Sequence, residues 1–286
     1  MTLRTLMLAT AAAFPALAHA NAAEVELWRL DCGTIAVKDL AVFSDTFNYE
    51  GQSRTLTDSC YLIRHDSSYM IWDTGLPAAL LNAPQGNAAM APTLAKTLPS
   101  QLAEIGVKPE QIETVGISHY HFDHVGQAAD FGRATLLIGK ADLAAIQQTP
   151  SPFGADPTFL APWIKGEAKA EPVEGDKDVF GDGSVVMLST PGHTPGSYSL
   201  LVRLAEKGPV LLSGDTVHFE EQFANDGVPP FNTDRAETLA SMDRLTGMAK
   251  TLGATLIVQH DAADIGKLPA LPRKREVAVG KGRRLS

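Results

Sequence analysis

The sequence predicts a single α/β domain in which two mixed β-sheets pack face to face with helices outside, an αββα sandwich. Strand-like segments occur in runs broken by helices, without the regular strand–helix alternation that a purely parallel sheet requires. The chain has 286 residues, enough for one large core, and no low-complexity linker divides it. We therefore predict one domain over residues 21–272.

The N-terminus has the pattern of a cleavable signal peptide over residues 1–20. Arg4 supplies a positive charge, residues 6–17 are apolar, and Ala18-His19-Ala20 provides a small-residue cleavage motif. Because this apolar stretch is too short to span a bilayer, we expect export to the periplasm or outside the cell, without stable membrane insertion. The basic residues 273–286 are expected to form a disordered tail.

The first half of the domain contains four predicted strands. They cover residues 25–37, 59–64, 68–72 and 113–118, and the third ends at the loop signal Asp73-Thr74-Gly75. A polar and aromatic loop is expected over residues 41–57, and a short helix over residues 99–105 before Gly106. The fourth strand leads directly into a cluster of histidines.

The second half continues with strands and two helices. The predicted strands cover residues 134–138, 184–189, 197–203, 209–213 and 255–258. A helix is expected over residues 140–147 and a long loop over residues 149–165. Asp234 is expected to cap a longer helix, with Glu237 completing a capping box.

The cysteines Cys32 and Cys60 both lie in strand-like segments. Export to an oxidising compartment would permit a disulfide, and two buried thiols in neighbouring strands are an equally good interpretation. Neither cysteine has a second one at the spacing of a metal site.

His119-Tyr120-His121-Phe122-Asp123-His124 carries the strongest chemical signal. Side chains two apart on an extended chain point the same way, so His119 and His121 can reach one metal ion from a strand end. The start of a helix after them would turn Asp123 and His124 towards a neighbouring point. Imidazoles and a carboxylate without a thiolate suit zinc, and also manganese, iron or cobalt.

This segment resembles the metal-binding signature of the metallo-β-lactamase superfamily. Residues 59–77, ending in Trp-Asp-Thr-Gly-Leu-Pro, resemble two strands of its N-acyl-homoserine lactonase branch. The turn Pro-Gly-His-Thr-Pro-Gly over residues 191–196 resembles the second histidine turn of that branch. Asp215 and His260 stand where its bridging aspartate and final histidine are expected. Each of these later residues, taken alone, also fits an ordinary loop residue.

The resemblance implies two metal sites that share one carboxylate. The ligands it implies are His119, His121 and His193 for one metal, Asp123, His124 and His260 for the other, and Asp215 between them. It implies hydrolysis of a lactone or carboxylic ester, with an N-acyl-homoserine lactone as the expected substrate. A hydroxide between the two metals would be the nucleophile, since metal-bound water can have a pKa of about 7, and Asp123 would shuttle a proton. Asp73 is expected to brace a ligand.

His218 is the position where the sequence departs from that branch, which usually has a tyrosine there. An imidazole can donate a hydrogen bond to a developing oxyanion, so we treat His218 as a catalytic candidate beside a plain packing role. Its presence also keeps a phosphotriester substrate open.

Other functions remain as alternatives. A β-lactam substrate is less favoured, and an exported metal-binding protein without turnover is a further possibility. The formal charge of −9 argues against nucleic acid as a partner, because phosphate contacts need Lys and Arg. A homodimer is one alternative for the assembly. The loop aromatics expected to line a pocket are Phe43, Phe47, Phe153, Phe159, Trp163, Phe219 and Phe223.

Overall fold

The architecture is an αββα sandwich, as the sequence predicts. A computed structural model describes residues 23–83 and 86–272, and the predicted signal peptide and basic tail lie outside these residues. The strands are β1 (Val25–Val37), β2 (Arg54–His65), β3 (Ser68–Trp72), β4 (Met90–Thr93), β5 (Ile112–Gly116), β6 (Thr135–Gly139), β7 (Ala170–Val173), β8 (Lys177–Asp178), β9 (Val185–Ser189), β10 (Tyr198–Leu204), β11 (Gly208–Leu212) and β12 (Thr255–Ile257). The helices are α1 (Leu98–Ile105), α2 (Phe122–Val125), α3 (Lys140–Ile146), α4 (Ala161–Ile164), α5 (Glu221–Asn225) and α6 (Arg235–Leu252).

Both sheets are mixed. Within the described residues, one has seven strands in the order β4-β1-β2-β3-β5-β6-β7, and the other has five in the order β12-β11-β10-β9-β8. Strands β3, β5, β6 and β7 pair in parallel, as do β11 and β12, whereas the remaining pairs are antiparallel. Parallel neighbours bring their C-terminal ends to one edge of each sheet.

The alternation of side chains along the strands produces the four layers. In β2, Tyr61 packs in the core between the two sheets, whereas its neighbour Leu62 packs in the core under the helices beside β5 and β6. In β10, Leu200 belongs to the core between the sheets, and Leu201 belongs to the same buried cluster as Leu245 of α6. Each sheet therefore buries both of its faces.

Helix α6 starts and ends where its sequence indicates. The Asp234 side chain accepts a hydrogen bond from the backbone N–H of Glu237 at 2.9 Å, and Gly253 ends the helix with φ 61°. Its buried face covers the outer side of the five-stranded sheet.

Several short elements differ from the sequence prediction. The expected loop over residues 41–57 contains the first residues of β2, and the expected loop over residues 149–165 contains α4. Strands β4, β7 and β8 and helix α5 were also not predicted. These segments are two to five residues long, too short for a period of 2.0 or 3.6 to show in the sequence.

Cys32 and Cys60 form a disulfide with a Cα–Cα distance of 5.8 Å, which decides between the two interpretations of these residues. It links β1 to β2, and both residues are fully buried. In the part of the chain that the structure describes, no helix is both long and apolar enough to cross a membrane.

Candidate metal centre

The seven predicted metal ligands meet at one edge of the sandwich, and all are buried. The histidine segment follows β5 of the seven-stranded sheet. The other three ligands follow strands of the five-stranded sheet: His193 lies between β9 and β10, Asp215 follows β11, and His260 follows β12. Both sheets therefore contribute to the cluster.

His119, His121 and His193 form the first half of the cluster. His121 Nδ1 lies 2.9 Å from His119 Nε2 and 3.0 Å from His193 Nε2. The rings of His121 and His193 are nearly perpendicular, at 89°. Three ring nitrogens thus converge on one point from two sheets.

Asp123, His124 and His260 form the second half, and Asp215 joins it to the first. The Nε2 atoms of His124 and His260 are 3.3 Å apart, and Asp123 Oδ2 lies 4.0 Å from each. Asp215 Oδ1 lies 3.1 Å from His260 Nε2, whereas Asp215 Oδ2 lies 3.5 Å from His193 Nε2. The carboxylate faces one half of the cluster with each oxygen.

The outer nitrogens of three histidines are held by hydrogen-bond acceptors. His124 Nδ1 lies 3.0 Å from Asp73 Oδ2, His260 Nδ1 donates to the Thr57 carbonyl at 2.7 Å, and His193 Nδ1 lies 2.8 Å from Asn232 Oδ1. Such partners fix the tautomer that leaves a lone pair on Nε2. Asp73 braces a ligand here, as expected, whereas Thr57 and Asn232 were not identified from the sequence.

The residues fit bound metal ions. With their Nδ1 protons donated outward, His124 and His260 direct lone pairs at each other, an arrangement that requires a cation or a proton between them. Asp215 Oδ1 is buried without a hydrogen-bond partner, and an unpaired buried carboxylate is costly. Nitrogen and carboxylate donors without thiolate form the donor set of several divalent transition metals.

The pKa values of the histidines are shifted in opposite directions in the two halves of the cluster. Burial lowers the pKa of His119 and His193 well below the usual value and that of His121 to about 4. Burial would also lower the pKa of His260, but the Asp215 carboxylate raises it to about 9. Metal ligands must be deprotonated, so metal binding at this half would depend on pH.

Asp73 also organises the strand ends behind the cluster. Its Oδ1 accepts from the backbone N–H of Ser118 at 2.7 Å, and its Oδ2 accepts from Gln259 Nε2 at 2.9 Å. Ser118 and Gln259 directly precede His119 and His260. One buried carboxylate thus aligns the ends of β3, β5 and β12.

His218 lies against the cluster. Its Nε2 is 3.3 Å from Asp215 Oδ2, and its Nδ1 is buried without a hydrogen-bond partner. Gln222 Oε1 accepts from its backbone N–H at 2.6 Å, and the Phe43 ring packs edge-on at 4.8 Å. The imidazole is therefore fixed in place with one nitrogen unused.

A cavity of about 280 Å³ opens above the cluster. Its floor is formed by His121, Asp123, His193, Asp215, His218 and His260, and its walls by Ile35, Val42, Phe43, Leu56, Met90, Pro92, Phe122, Phe153 and Phe231, with the backbone of Gly154. A small polar floor under apolar walls suits a ligand with a polar head and an apolar chain.

Only two of the seven predicted pocket aromatics line this cavity, Phe43 and Phe153. Phe47 is largely exposed to solvent. The other four pack in or against hydrophobic cores: Phe159, Trp163, Phe219 and Phe223. Two aromatics that do line the cavity, Phe122 and Phe231, were not predicted.

A family model described as the metallo-beta-lactamase superfamily matches residues 55–260. The chain belongs to this superfamily. An N-acyl homoserine lactonase of Bacillus cereus is 30% identical over 210 residues, which is 71% of this chain and 80% of that protein. The N-acyl homoserine lactonase AttM of Azorhizobium caulinodans is 25% identical over 249 residues, covering 83% and 94% of the two chains.

The solved structures agree on the metallo-beta-lactamase fold. An N-acyl homoserine lactone hydrolase with the product N-hexanoyl-L-homoserine bound at its catalytic metal centre superposes with a TM-score of 0.74. It is 23% identical, and the match covers 88% of this chain and 98% of that one. The expected fold and the resemblance to the lactonase branch are confirmed.

Proposed function

We propose that this protein is a binuclear-metal hydrolase that opens the ring of N-acyl-homoserine lactones. The observation that carries the proposal is the His/Asp cluster at the floor of an apolar cavity. Relatives named N-acyl homoserine lactonases support the choice of substrate. The reaction adds water to the ester of the lactone ring. The bond between the lactone carbonyl carbon and the ring oxygen breaks, which leaves a carboxylate and an alcohol, and the N-acyl amide is unchanged.

Two metal ions are proposed, held by the two halves of the cluster and sharing Asp215. Zinc is our first choice because its sites in enzymes combine histidines with a carboxylate, and manganese, iron and cobalt are alternatives. Ions bound there would polarise the carbonyl and supply hydroxide at neutral pH.

The chain's own residues would complete the reaction. Asp123 lines the cavity floor, where its carboxylate can accept the proton of the attacking water and return it to the departing alkoxide. His218 can donate a hydrogen bond to the oxyanion from the imidazole that packs between Asp215 and Phe43. The apolar walls would bind the acyl chain and exclude bulk water.

A phosphotriester is the second candidate substrate. His218 favours it, since the tyrosine usual in the lactonase branch is absent. Ring-opening of a lactone remains our proposal because the relatives are named N-acyl homoserine lactonases and the apolar walls suit an acyl chain.

The deciding experiment is a substrate panel with the metal-loaded protein. The panel contains short- and long-chain acyl-homoserine lactones, an aryl phosphotriester and a β-lactam. We expect the highest kcat/KM for a lactone, and activity that disappears on chelation and returns with zinc. A preference for the phosphotriester would contradict the proposed substrate. The absence of any metal-dependent turnover would contradict the proposal that the protein is an enzyme.

His218→Phe and His218→Tyr in the same panel test the role of this side chain. Removal of one oxyanion donor lowers kcat by about 100- to 1,000-fold, and the phenol of tyrosine should restore part of it. Wild-type kcat in both variants would leave His218 with a packing role alone.

Export is also part of the proposal. The Cys32–Cys60 disulfide supports it, because disulfides persist mainly in oxidising compartments. Fractionation of cells that express the full chain should find it in the periplasm or medium, shortened at its N-terminus.

A further inference from the structure

Asp142 is a buried carboxylate that neither lines the cavity nor belongs to the ligand cluster. It lies in the first turn of α3, and three donors from two other segments converge on it. Oδ2 accepts from the backbone N–H of Tyr120 at 3.2 Å and from Thr194 Oγ1 at 2.8 Å. Oδ1 accepts from the backbone N–H of Gly196 at 2.6 Å.

These donors adjoin the three ligands of the first half of the cluster. Tyr120 lies between His119 and His121, and Thr194 directly follows His193. The histidine segment belongs to the seven-stranded sheet and the turn with His193 to the five-stranded sheet. Asp142 therefore connects the two chain segments whose ring nitrogens must converge.

The backbone around Asp142 leaves no room for adjustment. A Cβ on Gly196 would lie 2.5 Å from the Asp142 backbone nitrogen, and a Cβ on Gly139 would lie 2.0 Å from the Gly196 carbonyl oxygen. Both distances are shorter than Cβ atoms adopt in proteins. The start of α3 and the histidine turn therefore pack backbone against backbone. The carboxylate is locked at this junction.

The three donors explain why a carboxylate is needed here. An asparagine has one carbonyl oxygen, and its NH₂ group would face a backbone N–H of Gly196 or of Tyr120, neither of which can rotate away. One hydrogen bond would be lost, and the asparagine NH₂ and the backbone N–H would face each other as two donors without an acceptor. Unsatisfied buried groups of this kind are disfavoured.

We infer that Asp142 is a positioning residue that holds His193 in register with His119 and His121, and thereby sets the affinity of the first metal position. This inference rests on the binuclear site of the proposed function. The second position does not depend on Asp142, because the outer nitrogens of His124 and His260 bond to Asp73 and to the Thr57 carbonyl.

The test compares Asp142→Asn with a control at an exposed carboxylate, Asp178→Asn. Asp178 also accepts two backbone N–H groups, from Gly181 at 2.9 Å and Gly183 at 2.7 Å, in a turn that contributes nothing to the cavity. Zinc affinity is measured for both positions by competition with a chromophoric chelator, together with kcat, KM and the melting temperature.

We expect Asp142→Asn to weaken one of the two zinc positions by about 10- to 100-fold, the range measured for residues that orient metal ligands. The other position should stay within threefold of wild type, kcat should fall more than KM rises, and Asp178→Asn should match wild type. A folded Asp142→Asn variant that keeps both affinities, or loses both equally, would overturn the inference.

Thr194→Val serves if Asp142→Asn does not fold. It keeps the volume and removes the hydroxyl, which donates to Asp142 and also lies 2.6 Å from Ser197 Oγ within the same turn, so a smaller but still selective loss at one position is expected. Unchanged zinc affinity in a folded Thr194→Val variant would then overturn the inference. Failure of the wild-type protein to bind zinc contradicts the proposed function instead, which keeps the two outcomes apart.

Discussion

Removal of the Cys32–Cys60 disulfide should destabilise the protein without abolishing its chemistry. The cysteines are 28 residues apart. Closing a loop of that length lowers the entropy of the unfolded chain, which raises its free energy by about 3.6 kcal/mol at 25 °C. For a domain of this size, such a change lowers the melting temperature by roughly 7 to 14 °C.

The disulfide packs behind the loop that supports His124. Activity is therefore measured as well, because it reports whether this loop keeps its position when the disulfide is removed. A Cβ on Gly75 would lie 2.4 Å from Cys32 Cβ. The loop is also held directly, since the backbone N–H of Thr74 donates to the His124 carbonyl at 2.7 Å. This hydrogen bond remains without the disulfide, so metal content and kcat should persist in the folded variant.

The assay is thermal unfolding of Cys32→Ala/Cys60→Ala and wild type at equal free zinc, with hydrolysis measured well below both transitions. Alanine is used because both positions are fully buried, and a serine hydroxyl would need a partner there. Melting within about 2 °C of wild type would refute the loop-entropy reasoning. Loss of zinc from the folded variant would refute the independence of the His124 loop.

Three further outcomes follow from the same geometry. Asp215→Asn replaces one oxygen of the shared carboxylate by an amide nitrogen that cannot ligate, so kcat/KM should fall by roughly 100-fold, and zinc per chain should fall with it in metal analysis. Met90→Ala removes a partly exposed wall of the cavity and should lower kcat/KM for a long-chain lactone about fourfold per lost methylene contact, while a short-chain lactone is unaffected. Chelation should lower the free energy of unfolding by about 4 kcal/mol for each zinc position that was occupied at 1,000 times its Kd, and re-addition of zinc should reverse the fall in melting temperature.

The ligand cluster was accessible from sequence because its strongest part is local. Two histidines at spacing two on an extended chain share a direction whatever surrounds them, and Asp123 and His124 follow at once. His193, Asp215 and His260 were harder, since each alone has an ordinary loop explanation. The structure places all three at strand ends that face the first segment, although 141 residues separate His119 from His260.

The residues that orient the ligands could not be found in this way. The partner of His260 is a backbone carbonyl, that of Thr57, which any residue could supply. Asn232 meets His193 across 39 positions with no motif around it. The same holds for the cavity walls: Met90 lies on β4, a strand that exists only because it pairs with β1. Such contacts follow from the packed fold and leave no periodic trace in the chain.

Because the ligands are divided between the two sheets, the distances between the donor atoms depend on the spacing of the sheets. Each proposed metal position combines residues after β5 with a residue from the five-stranded sheet, and Asp215 comes from the latter. A change in the spacing of the sheets would therefore separate the donors of both positions at once, whereas a change at one loop would affect one position. Trp72 and Tyr61 fill the core between the sheets and are fully buried, and side chains of that size are poorly replaced without rearrangement. The spacing of the two sheets, and with it the spacing of the donors within each half of the cluster, is set by this core, and the hydrogen bonds to Asp73 and Asp142 refine it locally.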